Sequence, residues 1–130
     1  DLGFKDYIKL IKKYLKNKKN TSIVQNLGIL KYHNLLSHSD LLIGNSSSGI
    51  IEGASFKIPV INVGDRQKKR FADRNVLHAK FEAASLQKCY KKAISSKFIS
   101  GLCTLKSIYY KKNTAQNSLN IIYNKLNEFK

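Results

Sequence analysis

Eight consecutive residues, Asn45-Ser46-Ser47-Ser48-Gly49-Ile50-Ile51-Glu52, carry the densest chemistry in this sequence. They follow the apolar run Leu41-Leu42-Ile43-Gly44 and precede Pro59-Val60-Ile61-Asn62-Val63-Gly64-Asp65-Arg66-Gln67. Small hydroxylated residues and glycine at a helix start leave backbone N–H groups unobstructed. Such donors, at the positive end of a helix dipole, hold phosphate. Glu52, one turn into the helix, reaches back over the same mouth. The pattern predicts a site for a phosphorylated ligand. The plainer reading is a tight turn with a serine as N-cap. Glu52 would then complete a capping box on Ser48 or Gly49. Capping and ligand binding are compatible.

All the arginines, Arg66, Arg70 and Arg74, fall in one stretch of a chain whose other cations are lysines. Planar guanidinium groups suit phosphate recognition. The alternative is a charged surface loop, in which Arg70 holds the loop rather than a ligand. Asp65 reads as a turn residue. Cys89 and Cys103 show none of the spacings of a zinc site and read as two unpaired thiols. His33, His38 and His78 are scattered. No metal-ligand set and no cofactor motif stands out.

These residues need a scaffold. Apolar spacing at Phe4, Tyr7, Ile8, Ile11, Tyr14 and Leu15 predicts a helix over 4–19 with a lysine-rich outer face. Residues 22–27 read as a short strand and 33–39 as a short helix with Leu35 and Leu36 inward. Residues 40–44 and 59–63 read as buried strands around a helix over 47–55. A third strand is expected over 75–78. A helix follows over 86–95, with Leu86, Tyr90, Ala93 and Ile94 on one face. Residues 96–114 stay open. A last helix runs from 114 or 115 to 129, with Leu119, Ile122, Tyr123 and Leu126 on one side. Tyr109 and Tyr110 read as core aromatics. Strands alternating with helices imply an α/β fold: a Rossmann-like parallel sheet, flanked by helices, with right-handed crossovers. Ligands in such sheets bind beyond the strands' carboxyl ends. Both Asn45–Glu52 and Gly64–Arg74 follow strands and are expected at that edge.

The chain has 130 residues, read as one domain over 1–130, with 42% hydrophobic residues. No apolar run approaches the ~20 residues of a membrane span. Asp1-Leu2-Gly3 does not open a signal peptide. The sequence lacks Met, so a piece of a longer protein is expected; the expected location is cytoplasmic. The net charge of +16 raises nucleic-acid binding as an option. The lysines, however, spread over both termini and alternate with Asn and Ile, as on a solvated surface.

Gly44-Asn45-Ser46-Ser47-Ser48-Gly49-Ile50-Ile51-Glu52, then Pro59–Gln67 with Arg70, then Asn75-Val76, resemble the UDP-N-acetylglucosamine 2-epimerases. The nearest likeness is to the hydrolysing branch, which makes N-acetylmannosamine for sialic-acid-type sugars. A related branch acts on N,N'-diacetylbacillosamine nucleotides on the way to legionaminic acid. The resemblance covers nearly the whole chain, from Asp1-x-Gly3 to the terminal helix. It implies the C-terminal, nucleotide-binding half of a glycosyltransferase-B architecture, in which two Rossmann-like domains enclose a cleft. By resemblance, Ser46 and Ser47, with the Ser48 and Gly49 amides, hold the diphosphate of UDP. Glu52 accepts from the ribose hydroxyls, and Arg66 reaches the phosphates. The Leu27-Gly28 backbone faces uracil, with Tyr32 packed beside it.

The family's proton-shuttling carboxylates lie in the N-terminal domain, and its functional histidine precedes Asp1. The resemblance therefore implies no catalytic residue here, inactivity of the chain alone, and the N-terminal domain as partner. It implies no metal or redox cofactor, no membrane partner, and a homo-oligomer for the intact enzyme. One departure stands out. Tyr110-Lys111-Lys112-Asn113 replaces a Gly-Asp-Gly-Asn-type turn, keeping Asn113 and losing both glycines. Two other readings remain. One is the donor-nucleotide domain of a glycosyltransferase on the same fold. The other is a basic nucleic-acid-binding module.

Overall fold

The structure, a computed structural model, describes residues 4–128. Asp1-x-Gly3 and Phe129 fall outside the described residues. The chain forms two compact units, Asp1–His33 and Asn34–Lys130.

In the first unit, α1 spans Phe4–Leu15, ending earlier than its spacing predicts. Tyr7, Ile11 and Tyr14 are exposed. The strand expected over 22–27 does not form. Strand propensity needs a ladder partner to act on, and Ile23 and Val24 have none among the described residues. Asn26 instead starts the next helix, its Oδ1 accepting from Gly28 N at 2.8 Å. Gly28 adopts φ +65°, which glycine takes without a Cβ clash. Helix α2 thus spans Gly28–Ser37, beginning five residues before the expected start at 33. It buries Leu36, whereas Leu35, expected inward, is 54% exposed.

The second unit is built on β1 (Leu42–Gly44), β2 (Val60–Val63) and β3 (Val76–Ala79), all parallel, in the order β1-β2-β3. Side chains alternate between the faces of a strand. Leu42, Gly44, Val60 and Asn62 share the face covered by α3 (Ser47–Ile51). Ile61, Val63, Leu77 and Ala79 share the face covered by α4 (Ala83–Ala93). The expected parallel sheet with flanking helices is therefore present.

On α4 the buried face is Leu86, Cys89 and Ala93, packed on Ile61 and Ala79. Tyr90 and Ile94, expected inward, are about half exposed. The i, i+3, i+7 stripe through the small Cys89 lets the helix approach the sheet; a tyrosine in that place would hold it off. Both cysteines are free thiols. The open stretch 96–114 contains α5 (Ser96–Leu102), capped by Ser95, whose side chain accepts from Phe98 N. Leu102 packs with Ala54 and Leu105. Tyr109 and Tyr110 are not core residues. Tyr110 is 71% exposed, and Tyr109 sends its hydroxyl to Phe71 O at 2.7 Å.

Helix α6 spans Thr114–Glu128, and the side predicted inward, Leu119, Ile122, Tyr123 and Leu126, is exposed. Its entry keeps a left-handed residue without glycine, because Asn113 takes φ +57°. Asparagine tolerates that region through local hydrogen bonding of its short side chain. Its carbonyl accepts from Asn117 N at 2.9 Å, the first turn of the helix.

Candidate functional site

Because the three strands are parallel, the segments following them emerge at one edge of the sheet. The turn after β1 and the loop after β2 meet there, as the sequence predicts. Ser46 is the N-cap of α3, with extended backbone (φ −76°, ψ 145°). Its Oγ accepts from Ser48 N at 3.3 Å, the long end of the hydrogen-bond range. An anionic phosphate oxygen at the same amide makes the stronger, charge-assisted bond. With the cap at Ser46, residue N3 is Gly49, so a capping box with Glu52 on Ser48 or Gly49 is ruled out. Glu52 is instead the C-cap residue of α3, its N–H donating to Ser48 O. The helix is five residues long, so its macrodipole is small and the local N–H donors dominate.

Gly49 is buried because the helix start lies directly on the sheet. A Cβ there would meet Val60 Cγ1 at 3.0 Å and Leu42 Cδ2 at 3.4 Å. Glycine in the motif thus sets the height of the turn above the strands.

Gln67 joins the turn to the basic loop. It is 4% exposed. Its Nε2 donates to Asn45 O at 3.0 Å, and its Oε1 accepts from Arg70 Nε at 2.7 Å. Both ends of one buried amide are satisfied, and the loop is pinned to the turn. Arg70 therefore holds the loop through its Nε. Arg66, one residue before the pin, is exposed at the same edge. Asp65 is a turn residue, as expected, pairing with the exposed Lys68 at 3.6 Å. Such an exposed pair adds little to stability. Arg74 leaves the expected cluster. It precedes β3, at the opposite end of the strands, and donates to Thr104 Oγ1 at 2.8 Å.

Leu27, Gly28 and Tyr32 lie in the first unit, where residues 24–29 and Tyr32 line an open hollow of about 490 Å³. The Tyr32 and His33 rings sit 6.2 Å apart in a tilted arrangement.

Among known proteins, a family described as UDP-N-acetylglucosamine 2-epimerase matches residues 5–123. The chain belongs to that family. Curated relatives agree. A GDP/UDP-N,N'-diacetylbacillosamine 2-epimerase (hydrolyzing) of Campylobacter jejuni is 41% identical over 83 residues, which is 64% of this chain and 21% of the relative. A polysialic acid biosynthesis protein of Escherichia coli is 37% identical over 91 residues, 70% of this chain and 23% of the relative. A UDP-N,N'-diacetylbacillosamine 2-epimerase (hydrolyzing) of Legionella pneumophila is 47% identical over 55 residues, 42% of this chain and 15% of the relative. The matched segments span less than a quarter of these relatives.

In this epimerase-family chain, sequence reasoning missed two residues at the sheet edge. In the sequence Gln67 is one more residue of a basic loop, and nothing local marks its burial. Asn62 falls within an expected buried strand, yet it is the one polar residue in Val60–Val63 and is 2% exposed. A polar residue inside an apolar strand was the available signal. No helix among the described residues is long and apolar enough to cross a membrane.

Proposed function

We propose that this chain is the nucleotide-binding half of a hydrolysing UDP-N-acetylglucosamine 2-epimerase or a diacetylbacillosamine counterpart. The observation that carries the reading is the Gln67 pin. It fastens the small-residue turn Asn45–Gly49 to the loop bearing Arg66, at the strands' carboxyl edge. The turn's N–H donors lie at that edge and Arg66 stands next to the pin in the chain, the two kinds of group a diphosphate requires. Ser46 and Ser47, with the Ser48 and Gly49 amides, take the diphosphate; Arg66 offsets its charge. The family resemblance alone assigns the ribose to Glu52, and uracil to the Leu27-Gly28 backbone with Tyr32. The intact cytoplasmic enzyme eliminates UDP from the sugar nucleotide and adds water with inversion at C2. N-acetylmannosamine, for N-acetylglucosamine as the sugar, leaves with UDP. Acid–base groups for these proton transfers come from the N-terminal domain.

Calorimetric titration of the chain with UDP should give saturable, weak binding, because one wall of the cleft is missing. Ser47→Ala should weaken UDP more than uridine, since it removes a phosphate donor. Glu52→Gln should weaken both alike, each by about 1–3 kcal/mol. No saturable heat at millimolar UDP, with the chain folded, sinks the reading. Equal affinity of both variants and the wild type would reduce the helix start to a cap.

Turnover is a separate expectation. Incubation with UDP-N-acetylglucosamine and chromatography should reveal no UDP release by this chain above background. Joining it to the N-terminal half should restore release by closing the cleft. Robust release by residues 1–130 would move the acid–base chemistry into this half, with Asp65 and Glu52 first to test.

A further inference from the structure

The amino-terminal edge of the sheet carries a second group of cations. Arg74 stands there, just before β3. The end of α4 and the start of α5 bring Lys92 and Lys97 to the same hollow, of about 420 Å³. That is the size of a small-molecule site. Its floor is apolar, made by Phe98 and Leu102, which pack with Ala54 and Leu105. Gly101 leaves the floor open, since nothing lies within 4 Å of where its Cβ would stand. Every ionisable residue lining the hollow is a cation.

A rim of cations is by itself what a solvated surface gives. Lysine also favours a helix C-terminus, which accounts in part for Lys92 at the end of α4. It accounts for neither Arg74 nor Lys97. Arg74 is moreover held in place. One terminal nitrogen donates to Thr104 Oγ1 at 2.8 Å, a partner 30 positions along the chain. A guanidinium carries several further N–H donors, which this bond leaves unused. Lys92 Nζ lies 5.9 Å from the centroid of the Phe98 ring, within cation–π reach. Among the described residues none of the three cations is ion-paired. The chemistry of a ligand follows. The cations require an anion, and the guanidinium fork fits a carboxylate or phosphate head. The floor requires an apolar body, since a small hydrated anion would leave Phe98 and Leu102 against water.

We propose that this hollow binds a small amphipathic anion. Its planar apolar body rests on Phe98 and Leu102, and its anionic head faces Arg74, Lys92 and Lys97. The hollow lies at the opposite end of the strands from the Asn45–Gly49 turn, so its ligand and a nucleotide do not compete. The inference does not rest on the nucleotide reading.

The test uses three probes at one ionic strength, with the amide signals of the chain followed by NMR. Naphthoate has both the apolar body and the anionic head. Naphthol, uncharged at neutral pH, lacks the anion, and acetate lacks the apolar body. Naphthoate should shift the Phe98, Gly101 and Leu102 signals and bind roughly tenfold tighter than either control, the worth of one charge-assisted hydrogen bond. Gly101→Leu fills the hollow and should abolish those shifts. It should fold, because leucine outranks glycine in a helix. Arg74→Gln should weaken naphthoate by roughly fivefold. Lys88→Gln removes the same charge from an exposed position of α4 outside the hollow, and should change affinity by less than about twofold. Should Gly101→Leu fail to fold, the contrast between Arg74→Gln and Lys88→Gln decides. Binding of naphthol as tight as naphthoate overturns the proposal, leaving an apolar dent. Binding of acetate as tight leaves only a cationic surface and overturns it too. So do an absence of naphthoate binding, shifts that survive Gly101→Leu, equal losses in the two charge variants, or displacement of naphthoate by UDP.

Discussion

Replacing Gly53 by alanine is expected to destabilise the second unit by about 1–3 kcal/mol, the usual cost of overpacking. The added Cβ would stand 2.6 Å from Val60 Cγ2 and 2.7 Å from Gly49 O. Neither neighbour has room to retreat. Val60 is a β-branched residue in the middle strand of the sheet, 2% exposed, and Gly49 O belongs to the backbone of α3. Relief must come from lifting the α3 segment off the sheet, which carries the Ser46–Gly49 turn and Glu52 with it. UDP binding should therefore weaken along with stability. Gly101→Ala supplies the contrast. It sits inside α5, where nothing lies within 4 Å of its Cβ position. There alanine is worth roughly 0.5–1 kcal/mol over glycine in a helix. Urea unfolding should move the two midpoints in opposite directions. Matching midpoints would mean that α3 does not lie as close to β2 as the structure places it.

Local signals dominated what the sequence made legible. The three parallel strands were visible because each is a short apolar run beside a turn, and their parallel order follows from the intervening crossovers. The small-residue turn Asn45–Gly49 was legible from residue size alone, since glycine is needed where the backbone approaches the sheet, as at Gly49. Helix facing was less so. The stripe on α4 runs through Cys89 rather than Tyr90, a choice made by the distance to the sheet, which no spacing rule contains. The same holds for 22–27, whose β-branched residues promised a strand that needs a neighbour to exist. Exposure of Tyr110 and of the α6 face shows the limit from the other side. Periodicity says which residues share a face, and only tertiary contact says whether that face is covered. The candidate site was legible as far as its motif, Ser46–Glu52 with Arg66. Its Gln67 bridge was not, because a glutamine 22 positions from its partner Asn45 leaves no local trace.

That bridge yields the second large effect. Gln67→Leu preserves approximate volume and removes both hydrogen bonds. It strands Asn45 O and Arg70 Nε. Both partner residues are exposed, so water recovers part of the loss, and about 1–2 kcal/mol of stability should go. Binding should suffer separately. Without the bridge, the loop carrying Arg66 is no longer fixed to the turn, and on the proposed nucleotide reading the cation must be ordered at the moment of binding. UDP affinity should fall roughly tenfold, about 1.4 kcal/mol, while uridine, lacking phosphates, should change much less. Gln67→Glu separates the two ends of the bridge. Its carboxylate still accepts from Arg70, but it sets a negatively charged oxygen against Asn45 O, where a donor stood. It should therefore lose UDP affinity at least as much as the leucine variant while keeping Arg70 in place. Calorimetry on samples shown by circular dichroism to be fully folded makes the distinction. If both variants unfold more easily yet bind UDP and uridine as the wild type does, Gln67 is a buried strut and nothing more. If UDP alone weakens, the amide that ties β1's turn to β2's loop sets the phosphate site's geometry.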